Sequence, residues 1–413
     1  MARNLKQSAM PIDWRTVVLA SAIIIISMGL RQCFGLFQAP MTESIGVSAA
    51  NFGFAMALQS LIWGSVQPVI GALADRFGPR VVILACTALY VLGLVLMGVA
   101  QSGFVALDIG TGLLTGFGVA GTGFGVLLGA VARAAPPERR TQVIGIVSAA
   151  GTLGILVFAP LGQNLIDAMG YRYALLAYAA IAAAMVVFTV LLRGGKAGAT
   201  RGAAPPTHEI ESLSATLRAA ASHRGFIAMT LAFFACGFQL MFITTHLPRY
   251  IGLCGMSADV GAESLALIGV CNAIGSYASG YLGRYFLDRH MLAATYLFRT
   301  TCIAIYLALP VTPTTTLIFA GAMGFTWLGV NAFVSSLIAR IFGLRHFNTL
   351  FGVVFFSHQF GAFAGSWMGG IVLDMTGAYT LAWLTLIAIG LMAATLQWPM
   401  DDRPYQATRL AAA

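Results

Sequence analysis

Charge is what this chain has least of. Asp, Glu, Lys and Arg together make up 9% of its 413 residues, while 59% are hydrophobic. A soluble chain of this length needs far more charge to cover its surface, so a water-exposed globule is excluded. Acidic residues are the scarcest charges, 14 against 23 Lys and Arg. None stands at the centre of an apolar stretch, which leaves few candidates for an acid-based proton relay. Cysteine is sparse as well. Cys33, Cys86, Cys236, Cys271 and Cys302 fall within apolar stretches and Cys254 in a polar gap, with no disulfide framework or metal-ligand spacing. No Gly-rich phosphate loop, metal cluster or nucleophile-base pair is visible, which argues against an enzyme and against a cofactor.

What is present is a series of twelve apolar stretches, near residues 15–38, 50–73, 80–100, 104–132, 141–165, 171–192, 224–248, 260–284, 291–310, 315–340, 348–373 and 378–399. Each is long enough for a helix to cross a hydrocarbon layer of roughly 30 Å. Basic residues crowd into alternate gaps: 19 fall on one side, only Arg172 and Arg249 on the other, and Arg31 and Arg299 within the stretches. Excess Lys and Arg marks the cytoplasmic side, so both termini and the central loop are expected there. The basic balance is thereby explained by topology and anionic lipid headgroups, without nucleic acid. The segment MARNLKQSAMPIDW is basic, but no small-residue cleavage site follows the first apolar run, so helix 1 is expected to be retained.

The fold class predicted is an all-α integral membrane protein of two pseudo-symmetric six-helix bundles. Residues 1–193 form the first and 224–413 the second, with 194–223 as a cytoplasmic linker rich in Gly, Pro, Lys and Arg. Ile210, Leu213 and Leu217 can form one short surface helix within it. The halves resemble each other: Gly162, Asp167 and Gly170 at the end of helix 5 match Gly369, Asp374 and Gly377 at the end of helix 11 at a constant offset of 207. Arg139 and Arg140 lie near the same offset from Arg345 and His346. Six-helix repeats of this kind commonly hold a site at the bilayer midplane, exposed alternately by rocking of one half against the other.

Between helices 2 and 3 the chain reads GALADRFGPR, which resembles the signature loop of the major facilitator superfamily. The resemblance implies that Gly71, Asp75, Arg76 and Arg80 form a latch between the halves in the outward-open state. Gly71 suits close helix packing, and Asp75 suits a neighbouring helix N-terminus. The pieces GLRQCFGLF, LFGVVFFSHQFGAFAGSWMGG and LDMTGAYTLAW are similar to the monocarboxylate-porter branch of that superfamily, including its bacterial members. That similarity implies a monomer in a bacterial inner membrane that moves small organic anions, usually monocarboxylates, often with a proton. One departure stands out. Animal members carry an Asp and an Arg deep in helix 8, and a related bacterial oxalate-formate exchanger an Arg; here that helix reads CNAIGSY, with Asn272 at its centre and Arg284 near its edge.

Arg31 is the strongest single candidate. An Arg at a helix centre costs roughly 2.5 to 3.5 kcal/mol on insertion scales, a cost usually met by a wet cavity or a partner. A guanidinium on a cavity-lining helix can grip a carboxylate with two parallel hydrogen bonds. The alternatives are snorkelling to the outer headgroups or a structural pair with Asp108. Arg299 is read instead as structural, with a side chain long enough to reach the inner interface. His358 and Gln359 interrupt helix 11, and His358 is the candidate for proton coupling, against the plainer role of a helix-to-helix hydrogen bond. On helix 7, Gln239 and His246 share a face, and His246, near Pro248, reads as gating or packing before binding. Asn272, Ser276 and Tyr277 on helix 8 offer donors for a carboxylate. Trp327, Asn331 and Ser335 form a stripe on helix 10 that suits a cavity wall or an ordinary packing face. Gln59, Trp63 and Gln67 on helix 2 are read as helix contacts.

The leading expectation is a secondary transporter of a small organic anion, a monocarboxylate such as lactate or pyruvate, coupled to protons, with His358 as the first residue to test. The second is efflux of an amphipathic or aromatic compound. A membrane-embedded sensor lacks its expected appended domain.

Overall fold

The computed structural model describes residues 12–100, 105–133, 140–192, 213–283, 285–343 and 347–405, and no strand occurs among them. Arg139, Arg193, Arg284, Arg345, His346, the stretch 194–212 of the expected linker and the side chains of Asp75 and Arg140 lie outside the described residues. Hydrocarbon offers no water to backbone N–H and C=O groups, so apolar runs satisfy them within helices. The helices are α1 (Trp14–Gln32), α2 (Gln38–Ile45), α3 (Ala49–Phe77), α4 (Pro79–Val99), α5 (Val105–Leu107), α6 (Thr115–Thr122), α7 (Phe124–Arg133), α8 (Arg140–Leu191), α9 (Leu213–Ser222), α10 (Arg224–Leu253), α11 (Ala258–Leu282), α12 (Asp288–Ala308), α13 (Pro313–Phe325), α14 (Gly329–Phe342), α15 (Phe347–Thr376) and α16 (Thr380–Gln397). A 3-10 turn, Phe34–Phe37, joins α1 to α2.

Helix starts are fixed locally. Ser48 Oγ accepts the Asn51 N–H at 3.1 Å before α3, and Thr312 and Thr315 form a capping box before α13, with Pro313 in its first turn. Among the described residues, ten helical segments are long and apolar enough to cross a membrane. One of them, Ala149–Leu191, turns at Gly170, whose φ of 78° suits glycine and falls between the expected fifth and sixth helices. The 30-residue α15 is of comparable length. Large apolar side chains such as Val18, Val157, Ile318 and Met375 stand exposed around the outside, as a lipid-facing exterior requires.

Besides the first expected helix, whose α-helix ends at Gln32 before the 3-10 turn, two more are interrupted. The stretch expected to be one helix at 104–132 contains a π-helical segment, Asp108–Leu114, and an extended residue, Gly123. Its glycines give the backbone little reason to hold one regular path. The stretch expected at 315–340 breaks between Phe325 and Gly329. Arg299 of α12, fully buried rather than at an interface, donates to the Trp327 carbonyl at 2.8 Å, to the Thr326 carbonyl, and from Nε to Thr326 Oγ1 at 3.2 Å. From α11, Asn272 Oδ1 accepts the Leu328 N–H at 3.0 Å. The break thus keeps its backbone groups paired, with a cation at the carbonyl end of α13.

The helices before residue 193 and those after 213 form two sets that meet through α3 with α15, α8 with α11, and the 3-10 turn with α10. At one end they touch backbone to backbone. A carbon added at Gly35 would lie 2.1 Å from the Thr244 carbonyl oxygen, and one at Gly53 2.5 Å from that of Ser366. This closed end carries Ile45, Leu253 and Thr376. Toward the other end, carbons added at Gly71, Gly280 and Gly352 would meet nothing within 4 Å, whereas inter-set hydrogen bonds such as Ser366 Oγ to the Gly53 carbonyl and Asp374 to the Ala49 and Ala50 N–H groups gather at the closed end, so the sets splay away from it. Gly71 therefore has no close helix contact in this conformation, unlike the packing expected of it. The short helix expected near Leu213 and Leu217 is α9; Ile210 lies outside the described residues.

Candidate functional site

The last turn of α1 delivers Arg31 to the seam between the two sets, at the level where closure gives way to splay. Its Nη2 donates to Ser60 Oγ of α3 at 3.1 Å and approaches Met241 Sδ of α10 at 3.7 Å, so it touches both sets. The guanidinium carbon sits 4.8 Å from the centre of the Trp63 ring, within cation-π range. Arg31 Nε is buried and has no hydrogen-bond partner. Among the described residues no carboxylate pairs with it: ion pairs join Arg249 to Glu43, Arg289 and Arg340 to Asp402, and Arg403 to Asp401. The alternative pair with Asp108 is not formed. A half-buried guanidinium whose buried Nε is an unused donor, with no bonded carboxylate, is an arrangement that an anion completes.

The site's walls are held from behind. Trp63 Nε1 donates to Gln67 Oε1 at 2.9 Å, and Gln67 Nε2 to the Ala120 carbonyl at 3.2 Å. From α15, Gln359 Nε2 donates to the Ser60 carbonyl at 3.0 Å, and Gln359 Oε1 lies 3.1 Å from His358 Nδ1. The Oε1 atom can only accept, so His358 Nδ1 carries the hydrogen. His358 packs 4.8 Å from the Phe233 ring and stacks on Phe355 at 6.0 Å, and Phe355 meets the edge of Trp63 at 5.7 Å. Arg31, Ser60, Gln359 and His358 are thus one polar chain inside an aromatic surround.

The other sequence candidates lie elsewhere. Gln239 is buried and donates to the Leu386 carbonyl at 3.2 Å, joining α10 to α16. Asn272, which also accepts from Ser276 Oγ at 3.1 Å, and Trp327 belong to the helix break, and Asn331 lies in the first turn of α14 beyond it. Tyr277 is 81% exposed on a face shared with exposed Ile274 and Tyr281, away from the face that sets Gly275 and Asn272 against the α13 break. That face suits lipid. Of the loop residues, Arg76 lies exposed with its guanidinium 5.1 Å from the Phe77 ring, and Arg80 is half-buried in the first turn of α4. Sequence reasoning did not single out Ser60 or Met241. Neither carries a signal of its own, because each is tied to Arg31 only through the packing of separate helices.

Comparison with known proteins adds a family match and distant relatives. A family model described as Major Facilitator Superfamily matches residues 19–366. The chain is 26% identical over 374 residues to monocarboxylate transporter 13 of Rattus norvegicus, covering 90% of this chain and 85% of that one. It is 24% identical over 403 residues to the oxalate:formate antiporter of Oxalobacter formigenes, covering 95% and 93%. Among solved structures, a D-xylose-proton symporter superposes with a TM-score of 0.74 at 13% identity, covering 94% of this chain and 98% of that one. A bacterial homolog of the human lysosomal transporter Spinster, in an inward-facing and occupied conformation, gives 0.70 at 16% identity, covering 97% and 98%. At these identities the two structures establish likeness of fold.

Proposed function

Since the chain belongs to the Major Facilitator Superfamily and is a membrane transporter rather than an enzyme, we propose that it moves a small monocarboxylate, such as lactate or pyruvate, by alternating access coupled to protons. The observation that carries this reading is Arg31: a half-buried guanidinium between the two helix sets, with its buried Nε unpaired and no bonded carboxylate among the described residues. One such cation suits one carboxylate. The names of the relatives, a monocarboxylate transporter and an oxalate:formate antiporter, agree with an organic anion. The substrate's carboxylate docks on Arg31 with Ser60 beside it, and its body lies against Trp63, Phe355 and Met241. Gln359 and His358 complete the polar wall, and His358 carries the coupled proton.

In the same reading the chain crosses a bacterial inner membrane twelve times as a monomer of two six-helix bundles. The basic gaps face the cytoplasm, so the closed end faces outward and the splayed end inward. Gly71, Asp75, Arg76 and Arg80 then act as the latch of the opposite state, engaging when the inner ends come together. Gln239, Asn272, Trp327 and Asn331 serve the helix contacts around the site and Tyr277 faces lipid, rather than making the first contact with substrate.

The test is uptake of labelled lactate, pyruvate and bulkier carboxylates by proteoliposomes, with and without an inward proton gradient. Accumulation that needs the gradient and is competed by other carboxylates is the expected result. Folded protein that takes up no acid overturns the reading and favours efflux of an amphipathic or aromatic compound.

A further inference from the structure

Among the described residues, the polar contacts between the sets that seal the closed end include the Ser366 hydroxyl on the Gly53 carbonyl at 3.0 Å and three more at increasing depth. At the rim, Arg249 Nη1 donates to Glu43 Oε1 at 2.8 Å. Deeper, Asp374 of α15 caps α3 of the other set, accepting the N–H groups of Ala49 at 3.1 Å and Ala50 at 2.7 Å. Deepest lies the ring of His246 on α10, fully buried and wedged so tightly that a carbon added at Gly369 would stand 2.5 Å from it.

The partners of that ring specify its protonation state. Its Nε2 lies 2.7 Å from the Ser366 carbonyl oxygen, which can only accept, so Nε2 carries a hydrogen. Its Nδ1 lies 2.9 Å from Tyr379 Oη and 3.2 Å from Gln38 Nε2. With the Gln38 amide oriented as it is, nitrogen toward the ring and its buried Oε1 without a hydrogen-bond partner, the amide can only donate, so Nδ1 receives and the ring is neutral. The titratable groups around it are already engaged or uncharged. Asp374 spends both oxygens on α3, Glu43 of α2 holds Arg249, and Tyr379, Tyr250 and, from α12, Tyr306 are phenols. Among the described residues no carboxylate bonds to the ring. An imidazolium here would turn an N–H toward a donor and lie buried without a bonded counter-charge.

Gln38 belongs to the other helix set, so parting of the sets at this end removes it and admits water to the ring. We propose that His246 is a proton-sensitive lock: the two sets close at this end only when the ring is neutral. The proposal rests on the transporter reading above, with this end facing outward, but not on Arg31 or on any substrate. It also separates two histidines, His358 serving the central site and His246 the gate. The open form binds the extra proton, so falling external pH shifts the carrier toward the outward-open state. With an ordinary imidazole value near 6.5 in the open form, the open-to-closed ratio rises about tenfold between pH 7.5 and 5.5.

The experiment reads the gate directly. Val47 lies buried at the closed end, and Cys254 is an exposed cysteine there. In a Val47→Cys, Cys254→Ser protein reconstituted in liposomes, an impermeant maleimide reports opening. Labelling of Cys254 in the parent protein corrects for thiol ionisation. The corrected rate is expected to rise severalfold from pH 7.5 to 5.5, to lose that rise in His246→Gln, and to lose or reverse it in Gln38→Glu, which sets a carboxylate against Nδ1. A flat rate in the unmodified gate, or an acid response that survives both substitutions, overturns the proposal. If His246→Gln does not fold, Gln38→Glu decides alone. Failure of carboxylate uptake, by contrast, would sink the monocarboxylate reading and leave these labelling outcomes intact.

Discussion

In the function proposed above, Arg31 is the residue on which substrate binding turns, and its two changes separate charge from shape. Charge-assisted hydrogen bonds contribute about 1.5 to 3 kcal/mol, so Arg31→Ala is expected to weaken carboxylate uptake roughly 10- to 100-fold. Arg31→Lys keeps the charge but lacks the planar fork and the cation-π contact of a guanidinium over Trp63, so it should recover only part of the loss. Concentration dependence of initial uptake checks both, and wild-type behaviour in Arg31→Ala would show that the anion binds elsewhere. Ser60→Ala removes one bond to Arg31 and should raise the half-saturating concentration by about fivefold. His358→Gln is expected to keep exchange of labelled for unlabelled substrate while losing accumulation driven by a pH gradient; retention of that accumulation would remove His358 from the proton path. Arg31 was legible in the sequence because a charge in an apolar run is conspicuous. Ser60, Trp63 as its cation-π partner and Met241 were not, since they reach it across helix contacts that no local pattern encodes.

At the scale of the element, the break between α13 and α14 is held by Arg299 rather than by its own sequence. The two carbonyls it binds, of Thr326 and Trp327, would be orphaned in a dry interior without it. Arg299→Met is therefore expected to lower stability by roughly 2 to 4 kcal/mol, read as a clear drop in melting temperature in detergent. Arg299→Lys can satisfy one carbonyl as a point charge and should lie between the two. An unchanged melting temperature in Arg299→Met would show that the break does not depend on the clamp. The sequence marked Arg299 as structural but gave the wrong anchor, because a long basic side chain near a helix end ordinarily snorkels. Here the carbonyl end of α13 comes closer than any interface.

At the scale of the molecule, transport requires the closed end to open, so contacts that seal it must break in every cycle. Bridging Glu43→Cys to Arg249→Cys with a short bifunctional thiol reagent, in a Cys254→Ser background, is expected to stop uptake. The unbridged double mutant should transport within about twofold of its parent, because an exposed ion pair contributes only about 0 to 1 kcal/mol. Uptake that continues after complete bridging would mean that this end does not part. The internal repeat in the sequence pointed to Asp167 and Asp374 as equivalent positions, yet only Asp374 caps a helix of the other set; Asp167 accepts from Gln163 at 2.8 Å within α8. Repeat symmetry in sequence is thus broken in this state, in which α15 and α3 press together at the closed end.

The sequence by itself determined that this chain is helical, lives in lipid and carries few charges within its apolar stretches. Those properties follow from composition and period, which the bilayer reads residue by residue through the cost of exposing polar groups. Its motifs also carried the family. Only the tertiary structure decided which of those polar residues meet. Arg31, Ser60, Met241, Gln359 and His358 gather at one seam, Gln239 and Asn272 go to structural bonds, and His246 meets Gln38 of the other set at the closed end. The physical reason is that a hydrogen bond or a buried charge is satisfied by geometry between helices far apart in the chain, and that geometry is set by how the two sets pack.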